Sequence, residues 1–88
     1  MIDVEGELQK LGYKGKDKVT GMQGVITSIS FDLYGCNQVL LNPGLDKDGK
    51  PRDAGWYDSN RIEVISKDPI MNQPDFANQK GPEIKPIS

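Results

Sequence analysis

The sequence predicts an all-β fold: a small five-stranded antiparallel barrel at about residues 16–66, with a short N-terminal arm at 1–15 and an irregular, flexible Pro-rich C-terminal tail at 67–88. Three observations predict it. β-Branched and aromatic residues gather in short runs of alternating character, glycine-centred turns separate those runs, and no apolar pattern of helical period runs far between Val19 and Ile65. The length of 88 residues allows one small domain and no second core. With 10 Gly and 6 Pro against 35% hydrophobic residues, loops are many and the core is small.

In the arm, Val4, Leu8 and Leu11 fall at helical intervals, but Gly6, Gly12 and Gly15 interrupt them, which leaves one short helical turn. Asp17 to Gly21 reads as a short extended segment closed by glycine, with Met22-Gln23-Gly24 as the turn that follows. The clearest strand is Val25 to Tyr34, where Val25, Thr27, Ile29, Phe31 and Leu33 share one face, expected to be core. Gly35-Cys36-Asn37 breaks it, and Gln38 to Asn42 returns as the second half of an antiparallel hairpin ending at Pro43-Gly44. Leu45 to Ala54 is a polar loop built around Asp48-Gly49. Gly55 to Asp58 is extended, Ser59-Asn60 turns, and Arg61 to Ile65 alternates with Ile62 and Val64 on one face. Beyond Ser66 four prolines (69, 74, 82 and 86) and scattered apolar residues mark the tail, whose Ile84 and Ile87 are candidates to dock on a neighbour.

Short strands, tight turns, one longer loop and a brief turn before the last strand best match an SH3-like small barrel. An OB-fold is the alternative, disfavoured because it needs longer strands and an intervening helix. The motifs Asp17-Lys18-Val19-Thr20-Gly21-Met22-Gln23-Gly24-Val25-Ile26-Thr27, Leu33-Tyr34-Gly35-Cys36-Asn37-Gln38-Val39, Asp48-Gly49-Lys50, Trp56-Tyr57-Asp58 and Arg61-Ile62-Glu63-Val64 occur in that order. In this the chain, over roughly residues 12–66, resembles a family of small uncharacterised proteins of tailed bacteriophages and prophages. The resemblance implies phage or prophage origin and an SH3-like barrel, and it brings no catalytic residue.

Composition narrows the chemistry. Histidine is absent, which removes the usual general base and the usual neutral metal ligand. Eleven basic against 13 acidic residues give a net charge of -2, so no overall positive field gathers nucleic acid or anionic lipid. A single cysteine, Cys36, forms no internal disulfide and points to a reducing, cytoplasmic setting, which the resemblance implies is that of a bacterial host; its place beside Gly35 suggests a structural thiol in a tight corner. An acidic start and the lack of an apolar run near the roughly 20 residues that span a bilayer argue against export and against the membrane. Asp46-Lys47-Asp48-Gly49-Lys50 opens like a calcium loop, yet Pro51 and Tyr57 stand where Gly and Glu belong, so a solvated turn is the better reading. No cofactor and no metal are expected.

Two surfaces remain as candidates. Tyr34, Trp56 and Tyr57 with Asp32 and Asp58 have the composition of an aromatic groove rimmed by acids, as in peptide-binding SH3 domains. The competing and favoured structural reading has Trp56 and Phe31 plugging the barrel while the tyrosines cap its ends. Lys10, Lys14, Lys16 and Lys18 form the one local basic concentration; Asp17 interrupts it and Asp3, Glu5 and Glu7 precede it, which favours a solvated face over a phosphate-binding one. The expectation is therefore a non-enzymatic binding or assembly module acting through protein–protein contacts with a phage or host protein or with its own copies, in virion assembly or as a host-interaction accessory. A homo-oligomer would supplement so small a core. The alternative is a small nucleic-acid-binding barrel using the Lys10–Lys18 segment.

Overall fold

Aspartate-led turns divide the chain into strands. A computed structural model describes residues 4–75. A short helix α1 (Val4–Leu8) precedes β1 (Lys14–Asp17), β2 (Gln23–Phe31), β3 (Asn37–Asn42) and β4 (Gly55–Asp58); a 3-10 turn, Ser59–Arg61, then leads into β5 (Ile62–Val64). The five strands make one antiparallel sheet in the order β4-β3-β2-β1-β5, so the last strand returns beside the first. Strands β4 and β5 are its edges and do not pair with each other among the described residues.

Three turns share one construction. At Asp32 a carboxylate oxygen accepts from the amides of Tyr34 and Cys36, both at 2.9 Å, while the Gly35 amide returns to the Asp32 carbonyl at 3.2 Å. Gly35 has φ of +87°, a conformation that costs a residue with a Cβ, so glycine closes the hairpin. The Asp46–Lys50 turn repeats the scheme, with Asp46 accepting from Asp48 at 2.8 Å and Lys50 at 2.9 Å. Asp17 caps Val19 and Thr20 in the same way over a longer loop. This corrects the extended reading of Asp17 to Gly21: β1 ends at Asp17 because its side chain competes for the following amides, and Val19 lies exposed in the turn.

The core consists of Ile26, Val39, Leu41 and Ile62, with Leu11, Met22, Ile29 and Tyr57 packed around it. Gly15 on β1 provides room: a Cβ there would meet Ile62 Cγ2 at 2.9 Å and Ile26 Cδ1 at 3.1 Å, so the bare backbone lets the two isoleucines close over the strand. Each buried aliphatic side chain is worth roughly 1.5–3 kcal/mol, which makes this a modest core.

The expected face of β2 is corrected by a bulge. Ile26 pairs with Leu41, Ser28 with Leu40 and Ile29 with Val39, so the register slips between Ile26 and Ser28. Two residues of β2 there oppose one interval of β3, and the inward parity changes from even (Gly24, Ile26) to odd (Ile29). Ile26 is fully buried rather than outward, while Phe31 and Leu33, expected in the core, are 38% and 90% exposed. Trp56 does not plug the interior either: it is 49% exposed in register with Leu40, on the sheet face away from Val39.

The segment after β5 runs back along the arm. The Lys14 amide donates to Ser66 Oγ at 3.0 Å, the Ile70 amide to the Gly12 carbonyl at 2.7 Å, and Gln73 Nε2 to the carbonyls of Leu8 and Leu11. The first part of the sequence-assigned tail is thus hydrogen-bonded to the arm; Ile84 and Ile87 lie outside the described residues. At Gly12 a Cβ would stand 2.1 Å from the Met71 carbonyl oxygen, and φ is +91°. Gly12→Ala is therefore expected to lower Tm by several degrees and to abolish hydrogen-exchange protection of the Ile70 amide, while the amides of β2 and β3 stay protected.

Candidate functional site

Two carboxylates organise the polar interior, and both are reached from the Ser59–Arg61 turn. Asp17 is completely buried at the end of β1. Arg61 grips it with a two-pronged contact, Nε to Oδ1 at 2.9 Å and Nη2 to Oδ2 at 2.6 Å, and Thr20 Oγ1 donates to Oδ2 at 2.6 Å. The Arg61 hydrogen bonds, assisted by those of Thr20 and Val19, outweigh the cost of burial and hold the Asp17 carboxyl well below the usual range. The Arg61 guanidinium, raised by the same contact, also lies over the Tyr57 ring at 5.4 Å.

Glu7 occupies the second position. Ser59 Oγ donates to its Oε1, Asn37 Nδ2 donates to Oε1 at 3.0 Å, and Lys10 Nζ to Oε2 at 2.9 Å. Partial burial raises the Glu7 carboxyl, but the Ser59 and Lys10 hydrogen bonds, the Lys10 charge and the Asn37 amide bring it below its ordinary value. This cluster fastens α1 to the start of β3 and to the 3-10 turn. Both carboxylates serve as structural acceptors.

The five candidate contact residues fall into three places. Asp32 and Tyr34 sit in the β2–β3 hairpin tip, Asp32 as the turn's acceptor and Tyr34 86% exposed. Trp56 and Asp58 share the outer face of β4, in register with Leu40 and Gln38. Tyr57 takes the opposite face and packs against the core. The structure thus joins Tyr34 with Asp32 and Trp56 with Asp58, and turns Tyr57 away from both pairs.

Leu33 is the residue sequence reasoning missed, because it was counted as a continuation of the strand. The signal was present: Asp32 followed three positions later by Gly35 marks a turn whose central residues, Leu33 and Tyr34, face outward. Cys36 corrects the expectation of a structural thiol, since it is exposed beyond the last ladder pair, Phe31 with Asn37, where no strand covers it.

The lysines also divide. Lys10 is paired with Glu7, Lys18 is exposed in the first turn, and Lys14 and Lys16 lie on the outer face of β1 with Glu63 in register with Lys16. Among the described residues no cluster of three or more His, Cys, Asp or Glu is placed to hold a metal ion, and no helix is long and apolar enough to cross a membrane. No family model, curated protein or solved structure matches the chain.

The polar interior makes a pH prediction. Asp17 and Glu7 are both more acidic folded than unfolded, so the unfolded chain binds more protons in acid and the stability they contribute is lost as pH falls. Chemical denaturation at successive pH values should show stability declining from the ordinary values of 4.5 and 3.8 downward. Asp17→Asn should be less stable at neutral pH and should flatten that decline, leaving the part due to Glu7.

Proposed function

We propose that this chain is a non-enzymatic binding or assembly module of phage or prophage origin that works in the host cytoplasm through protein–protein contacts, with the β2–β3 hairpin tip as its principal contact. One observation carries the reading: Leu33 and Tyr34 are 90% and 86% exposed on a turn locked by four hydrogen bonds. Because the turn's backbone is already fixed, binding through these exposed side chains loses little backbone entropy, which suits an interface anchor. Trp56, half exposed on the outer face of β4, adds a second anchor.

An SH3-like barrel is the proposed form of the domain. The return of β5 to β1, the 3-10 turn that precedes it and the bulge that bends β2 support that reading. The edges β4 and β5 suit pairing between copies, and the small core favours a homo-oligomer.

The test is a double variant, Leu33→Ser with Tyr34→Ser, compared with the full chain by light scattering on a sizing column and by photo-crosslinking from position 36 in infected cells. The turn hydrogen bonds use the backbone and Asp32, so Tm should change little. Oligomer or crosslinked complex should weaken by about 30-fold or more, the effect of losing a hot spot. Unchanged assembly and an unchanged crosslinking pattern in the variant would overturn the proposal.

A further inference from the structure

The outer face of the sheet carries a second feature, separate from the hairpin tip. Lys14, Val25 and Asn42 stand in one cross-strand row over β1, β2 and β3. The loop after β3 brings Arg52 over that row, and together they line a concave pocket of about 380 Å³. Gly24 lies at its base: a Cβ there would come within 2.7 Å of the Asn42 carbonyl, so the two backbones approach as closely as they do because the position is glycine.

The pocket's charge is one-sided. Two cationic side chains, Lys14 and Arg52, line it together with the amides Gln23 and Asn42, and no carboxylate does. The Arg52 guanidinium is held in place by Nη2 donating to the Pro43 carbonyl at 2.6 Å, which leaves its other N–H groups available. Asn42 Oδ1 accepts from the Gly44 amide at 3.1 Å, so its Nδ2 is the end left to donate. Neither cation has an ion-pair partner among the described residues, and Glu63, the nearby acid in the strand ladder, stands in register with Lys16 instead. A folded chain with more acids than bases has thus left two cations together over a cavity.

We propose that this pocket binds the phosphate group of a small phosphorylated ligand. A phosphate offers several acceptor oxygens to donors arriving from different sides, a closer match to an ammonium, a guanidinium fork and amide N–H groups than the two oxygens of a carboxylate. The volume lies within the range of small-molecule sites and leaves room for an organic group beyond the phosphate. Neither Leu33 nor Tyr34 lines the pocket, so this site and the hairpin contact stand or fall separately.

The experiment is an NMR titration of the full chain, followed at the backbone amides of Gly24, Asn42 and Gly44, with three probes: inorganic phosphate, a nucleoside 5′-monophosphate and acetate. Saturable shifts with the phosphate probes, and none with acetate at equal ionic strength, are expected. Lys14→Gln and Arg52→Gln should each weaken binding about tenfold, whereas Lys47→Gln, in the exposed Asp46–Lys50 turn, should leave it unchanged. Thermal melts of the variants establish that they are folded. Tighter binding of the monophosphate assigns the remaining volume to the organic group, and equal binding assigns the site to free phosphate. Shifts that sodium chloride reproduces, a response to acetate as strong as to phosphate, or equal weakening by Lys47→Gln would overturn the proposal.

Discussion

The three residues Ser59, Asn60 and Arg61 hold the two ends of the sheet in one arrangement. From this single 3-10 turn, Ser59 reaches the Glu7 carboxylate and Arg61 reaches Asp17, 52 and 44 residues away in the chain. The Arg61 carbonyl also accepts the Lys18 amide at 2.8 Å. These contacts fix where β5 begins, and hence that it pairs with β1. Four fully or nearly buried aliphatic residues form the core, and the polar contacts of this turn act beside it. A buried carboxylate without its arginine would be far costlier than one never buried, which gives the turn strong preference for a single docking geometry.

Much of the secondary structure was legible because its determinants are local. Glycines that tolerate positive φ announce the hairpin break at Gly35-Cys36-Asn37 and the turn at Asp48-Gly49, whereas the captures of backbone amides by Asp32 and Asp46 emerge only from the structure. Strands β3 and β4 and the all-β class follow from β-branched residues between such turns. The Asp17 turn is hidden in the sequence because the β-branched Val19 and Thr20 have strand-like character, and only the carboxylate's own hydrogen bonds end the strand there.

The candidate sites were less legible because they depend on facing, which is decided at long range. One bulged residue near Thr27 reverses which side of β2 is inside, so alternation counted straight through from Ile29 turns Ile26 outward, while Phe31 and Leu33 are exposed because β2 ends at the Asp32 turn, away from the core. Similarly, the outward direction of Trp56 follows from its register with Leu40 and could not be read from its size, which suggested burial. Arg52 meets Lys14 only because the loop after β3 folds back over the sheet. None of these juxtapositions has a signature within a window of ten residues.

The bulge in β2 also works as a phase shifter. On one side of it the strand is committed to Ile26 and Leu41; on the other, the hairpin keeps its own alternation out to the last pair, Phe31 with Asn37, below the tip that carries Leu33 and Tyr34. Lengthening the hairpin by a matched pair of residues in each arm leaves both alternations intact, whereas a single-residue change inverts one of them. The projecting loop can therefore vary in reach in steps of two residues per strand, about 7 Å each, while the buried centre stays as it is.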